Sequence, residues 1–211
     1  MRKTLLAALL AVSLVGCATA TERQATTGTP VRKSAPVVAI HPLEADTYAH
    51  ASVAILPFLV PEGVDPQLGR RVALLYQDIL LGKAVFPTVR VLDSSYGDFR
   101  EALAAGRLAD TDLVLAGKIN YAVEGTELGG ARLDVTVRLL NVRTQATVWS
   151  ISQAMDQPYS YPNGDLMQVL RDAALMPETR RSVGAPALPN MLMQSAEDMA
   201  DVMAGSRYVR R

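Results

Sequence analysis

Residues 111–151 read TDLVLAGKINYAVEGTELGGARLDVTVRLLNVRTQATVWSI, and the two-residue period in this stretch decides the fold. Leu113, Leu115, Ile119, Tyr121 and Val123 fall on one face of a long strand, with Lys118, Asn120 and Glu124 opposite. After a turn around Gly125, Gly129 and Gly130, the residues Leu133, Val135, Val137 and Leu139 alternate with Asp134, Thr136 and Arg138, which predicts a hairpin. The chain turns again from Asn141 to Gln145, and Thr147-Val148-Trp149-Ser150-Ile151 supplies a third strand whose Trp149 and Ile151 face the core. This is an antiparallel meander with one dry and one wet face.

Upstream, Val53-Ala54-Ile55-Leu56-Pro57-Phe58 is apolar at every position and closed by Pro57 and Pro61, the pattern of a strand buried on both faces. Leu68, Val72, Leu75 and Ile79 then recur at helical spacing, and the helix ends at Gly82. Val89, Val91 and Leu92 form a second short strand, and Asp98 to Ala109 a second helix, with Gly106 unsettling its last turn. Downstream of Asp156 come an irregular stretch, a helix from Asp165 to Leu175, a Pro/Gly-rich joint and a final helix from Met191 to Ala204, whose methionines fill core space. The class is α/β (α+β): a mixed sheet of about five strands in the order β-α-β-α-β-β-β-α, with helices packed on it. Residues 52–156 form the domain core, and 157–211 a C-terminal helical segment packing on it.

The N-terminus speaks to destination. Arg2 and Lys3 precede an apolar run from Leu5 to Val15, about eleven residues, which suits an export signal over residues 1–16 and is too short to span a bilayer. Leu14-Val15-Gly16-Cys17 resembles the lipobox of bacterial lipoproteins, which implies lipidation of Cys17 and cleavage before it. Cys17 is the only cysteine, so an exported chain has no internal disulfide partner for it, and acylation accounts for the thiol. Ala18 stands where Asp resembles an inner-membrane retention signal, which favours the outer membrane, with the domain facing the periplasm. Residues 17–51, rich in Thr, Ala and Pro, read as the lipidated N-terminus followed by a mobile tether. Removing residues 1–16 leaves 19 basic against 21 acidic residues, a formal charge of −2 that excludes a basic field for nucleic acid.

The element order, together with Val53 to Phe58, Ala109 to Gly117 and Leu139 to Ser150, resembles the periplasmic domain of the curli-secretion (CsgG-like) family. Its relatives include PelC-like exopolysaccharide-export lipoproteins, penicillin-binding-protein activator lipoproteins and the N-terminal domain of TolB. The resemblance implies an anticodon-binding-like α/β fold over residues 52–156. Where the family turn commonly reads Asp-x-x-Thr-Gly, Asn141 stands for the Asp and Gln145 for the Gly, which implies a different turn geometry. No long amphipathic insertion of the kind that builds the curli pore is present, and Lys118, Glu124, Asp134 and Arg138 would not tolerate lipid, so no pore is expected from this chain alone.

Few residues of the sequence suggest catalysis. Ser94-Ser95 lacks a glycine-flanked elbow, Gly117-Lys118 lacks the upstream glycine of a phosphate loop, and Asp110 with Asp112 sits where a helix gives way to a strand, a turn position. His41 and His50 lie in or beside the tether without further ligands, and Arg207, Arg210 and Arg211 read as a frayed terminus. The expectation is a protein that is not an enzyme, with no catalytic, metal or cofactor residues. It is expected to be an accessory or assembly component of an envelope export system for protein fibre or exopolysaccharide, and a homo-oligomer. The alternative is a periplasmic module that activates a peptidoglycan synthase.

Overall fold

The structure, a computed structural model, describes residues 31–42, 48–126, 129–158 and 187–205. The expected signal 1–16, Cys17, the helix at Asp165 to Leu175 and the arginines at 207, 210 and 211 lie outside the described residues. The elements run β1 (Arg32–Lys33), β2 (Val37–Ile40), β3 (Ser52–Ile55), α1 (Gln67–Gly82), β4 (Thr88–Val91), α2 (Phe99–Leu108), β5 (Leu113–Val123), β6 (Arg132–Asn141), β7 (Thr147–Asp156) and α3 (Ala187–Gly205).

One mixed sheet of seven strands results, in the order β1-β7-β6-β5-β3-β4, with β2 also on β7. β3 pairs in parallel with β4 and β5, while β5, β6 and β7 form the antiparallel meander. β3 is apolar throughout because both its faces are covered: Val53 and Ile55 point into one core, Ala54 and Leu56 into the other. The larger core lies under α1 and α3, where Val72, Tyr76 and Leu80 meet Met191 and Met199 over Leu113, Leu115, Val137, Leu139 and Ile151. Trp149 is buried there too. Tyr76 donates its hydroxyl to Met199 Sδ at 3.2 Å, giving the polar tip of a fully buried ring a partner on the facing helix. α2 covers only one end of the opposite face, packing Ala102, Leu103 and Ala105 on Val114, Leu140 and Val142.

α2 starts at a capping box: Asp98 accepts from the amides of Arg100 and Glu101, and Glu101 reaches back to the amide of Gly97. Gly106 stays inside this helix, because a methyl group there would overlap Val114 and Val142. At Gly117 the Phe58 ring lies against the strand backbone, the close approach that a mid-strand glycine allows. α3 begins earlier than the expected Met191, since Pro189 fits a first helical turn whose amides have no partner to lose.

Two further differences have clear causes. The stretch assigned to a mobile tether holds two strands: Arg32 and Lys33 pair with Asp156 and Met155, and Val37, Val38 and Ile40 pair with Ser152, Ile151 and Ser150. All six strand residues are exposed, so no hydropathy period marks them, and they raise the strand count from five to seven. The second difference is a bulge in β5 between Ile119 and Tyr121, which shifts the facing of everything beyond it.

Candidate functional site

The β5 bulge creates the surface of interest. Ile119 faces Val135 in the core, whereas Tyr121 faces Asp134 and Val123 faces Arg132, on the side opposite α1 and α3. Tyr121 and Val123, assigned to the core face from their spacing, are therefore exposed, at 50% and 38%. Asn120, the extra residue of the bulge, donates its amide to Asp134 Oδ1 at 3.1 Å and Thr136 Oγ1 at 2.8 Å, which fixes it on the same open face.

Register maps the rest of this face. Arg138 lies across from Ser150, Thr136 from Lys118 and Ser152, Asp134 from Ala154, and Arg132 from Asp156, with Val37, Ile40 and Arg32 along the β7 edge. α2 shields only the far end, and its Phe99 ring, 42% exposed, receives the Arg138 guanidinium at 4.6 Å from its centroid. Lys118 and Arg138 occupy diagonal positions on neighbouring strands, roughly 7–8 Å apart, and neither is in an ion pair with a described residue. Arg132 pairs with Asp156 at 3.0 Å. An open groove of about 570 Å³ runs over Tyr121, Arg132, Asp134 and Ala154 toward Arg32. The face thus carries Arg32, Lys118, Arg132 and Arg138 against Asp134 and Asp156, a positive surface on a chain whose basic and acidic residues balance.

On the other side of β7, Gln153 is buried and joins the N-terminal strands to α3. Its amide nitrogen donates to the Ser34 carbonyl at 2.9 Å and to Asp198 Oδ2 at 2.7 Å, and Lys33 Nζ reaches both Asp198 oxygens at 2.9 Å. Partial burial opposes ionisation of Asp198, but the hydrogen bonds from Gln153 and Lys33 and the charges of Lys33 and Lys83 outweigh it and hold the carboxyl below its ordinary value.

The other residues singled out in the sequence separate. Asp112 accepts from Ser52 N at 2.8 Å and Ser52 Oγ at 2.7 Å, and its own amide donates to Ser52 Oγ at 3.0 Å. These bonds, the backbone one foremost, lower its pKa against a small opposing burial, and they clamp the start of β5 to the start of β3. Asp110 takes φ 51° at the turn leaving α2, so the two carboxylates serve separate local purposes. Ser94 and Ser95 are exposed in the loop before Tyr96, whose hydroxyl donates to the Gly117 carbonyl at 2.7 Å; burial pushes that phenol's pKa up. His41 lies 6.4 Å from the Trp149 ring. Glu124 lies beyond β5 and accepts from the amide of Leu188 at 3.4 Å. Among the described residues no three His, Cys, Asp or Glu side chains gather as a metal site, and no helix is long and apolar enough to cross a membrane.

No known family's sequence profile matches the chain, and no curated protein matches it in sequence. Solved structures do resemble it. A variant PelC dodecamer from Paraburkholderia phytofirmans superposes with a TM-score of 0.50 at 16% identity, covering 84% of this chain and 97% of that one. A second crystal form of the PelC dodecamer from that organism gives 0.47 at 17%, covering 86% and 99%. Lipoprotein GNA1162 from Neisseria meningitidis gives 0.38 at 18%, covering 59% and 93%. At such identities the likeness is one of fold, and that fold is PelC-like.

Proposed function

We propose that this protein is an outer-membrane lipoprotein, anchored through an acylated Cys17 and facing the periplasm, that serves without catalysis as a homo-oligomeric assembly component of an envelope export system. The observation that carries the reading is the fold shared with the PelC dodecamer across nearly the whole of that chain. The sequence adds its support: a lipobox-like Leu14-Val15-Gly16-Cys17 with a single cysteine. The carboxylate most suggestive of chemistry, Asp112, is engaged by Ser52 and serves to hold two strands together.

Two measurements test it. Labelled palmitate should enter the wild-type chain and not Cys17→Ala, whose product should fail to fractionate with outer membranes. Light scattering on the protein solubilised from membranes should give one discrete oligomeric mass. A monomer at every concentration, together with capture of a peptidoglycan synthase, would move the assignment to a wall-enzyme activator.

A further inference from the structure

The register of β1 fixes where the chain enters the fold. Arg32 lies across from Asp156 at the end of β7, beside the β5–β6 hairpin tip, where Gly130 and Ala131 bond Gln157. Lys33 Nζ on Asp198 and Ser34 N on the Ala154 carbonyl hold the chain directly after its entry. From there it runs antiparallel to β7 as far as Ile40, across from Ser150. It reaches β3 at the other end of the sheet, where Asp112 holds Ser52 and Leu113 lies across from Asn141 at the β6–β7 turn. β7 has 10 residues, so the two ends are about 30 Å apart. A sheet that began at Ser52 would be tethered from the β6–β7 turn end by residues 18–51. With β1 and β2 in place the tether is residues 18–30, and it leaves from the hairpin end.

We infer that the β5–β6 hairpin end of the sheet is the membrane-proximal end, facing the phospholipid headgroups of the leaflet that holds the anchor, with the β6–β7 turn directed away from it. This rests on the acylation of Cys17 proposed above and specifies how the domain sits on the membrane. Only residues 18–30 separate Cys17 from Val31. A coil of that length reaches about 20 Å r.m.s., and drawn straight it reaches at most about 50 Å. Bringing the β6–β7 turn to the leaflet would make the tether run back along about 30 Å of β7, half as far again as its r.m.s. reach. With the hairpin end at the leaflet no such extension is needed. Exposed Arg32, Glu124 and Arg132 stand at that end. Charged groups of both signs suit a hydrated zwitterionic headgroup layer and are costly to place in hydrocarbon. The far end presents Leu108, 90% exposed, and the turn carrying Arg143 to the periplasm.

The test uses the mature protein solubilised from membranes and reconstituted into vesicles of phosphatidylethanolamine and phosphatidylglycerol, with circular dichroism as the check on folding. Cys17 is the only cysteine, and acylation makes its sulfur a thioether, so an introduced thiol is the only one that a maleimide dye can reach. Val123→Cys marks the hairpin end, with Tyr121→Cys in reserve should the first misfold, and Leu108→Cys and Arg143→Cys mark the far end. All four side chains are exposed. Energy transfer to acceptor-labelled headgroups is expected to be at least twofold more efficient from position 123 or 121 than from 108 or 143. Equal transfer from both ends, or more from the far end, overturns the inference while the anchor stands. Insertion of about twenty Gly/Ser residues after Pro30 should shrink the difference; a difference that stays whole would overturn the tether as its cause. If wild type takes the dye at Cys17 and does not bind vesicles, the lipoprotein reading falls and the inference with it.

Discussion

Gln145 holds φ 61° at the end of the β6–β7 turn, a left-handed conformation that costs a residue with a Cβ about 1–2 kcal/mol. The turn closes regardless, because Asn141 Oδ1 accepts from the amides of Arg143 and Thr144, and Gln145 N donates to the Asn141 carbonyl. The side chain at 145 is exposed, so Gln145→Gly should raise stability by about 0.5–1 kcal/mol, read as a higher urea midpoint at unchanged slope. An unchanged or lower midpoint would mean that Gln145 is not strained there. Gly117→Ala should act oppositely. Its methyl group would overlap the Phe58 ring, and overpacking of this kind costs about 1–3 kcal/mol. The sequence marked both positions, Gly117 as a mid-strand glycine and Gln145 as a departure in a turn. It could not reveal that the turn keeps a left-handed residue, because conformation at one position is set by the hydrogen bonds that Asn141 makes around it.

Among the elements, β5 to β7 and α1 were legible because burial imprints a period on hydropathy, and β3 because it is apolar on both faces. Tyr121 and Val123 were misplaced because a bulge inserts one residue without changing the visible alternation. β1 and β2 were missed for a different reason: they contribute backbone hydrogen bonds and almost no buried side chain, and the flanking Pro36 and Pro42 resemble linker punctuation. What secures these strands is the junction of Lys33, Asp198 and Gln153. Asp198→Ala should therefore cost about 1–3 kcal/mol, because it leaves the buried Gln153 amide one acceptor short. It should also speed amide exchange at Ser34, whose N–H bonds the Ala154 carbonyl. Equal exchange in variant and wild type would show that the strands are held by pairing alone. The Asp198 carboxyl in the folded chain ionises below the ordinary 3.8, so its contribution is present above that value and is lost as pH falls through the folded one. Protection at Ser34 should accordingly weaken under acid in wild type and respond less in Asp198→Ala.

For the molecule as a whole, the N-terminal strands decide where the sheet stops. Without residues 31–42, β7 would present a long unpaired edge, the situation that invites pairing between chains. Gln153 would lose the Ser34 carbonyl, and Trp149 would lose the His41 ring beside it. With several backbone hydrogen bonds removed at about 1 kcal/mol each, the loss should be about 2–4 kcal/mol. Trp149 is the only tryptophan and is buried, so its emission reports this region alone. Removal of residues 31–42 should move that emission to the red and broaden the light-scattering mass distribution toward aggregates. Val37→Lys places a charge on an exposed position of β2, and it should leave the emission unchanged because β2 remains paired with β7. If the truncated chain instead keeps the native emission and a single mass, β1 and β2 do not close the sheet. The boundary of the folded unit would then return to Ser52, where hydropathy alone first places it.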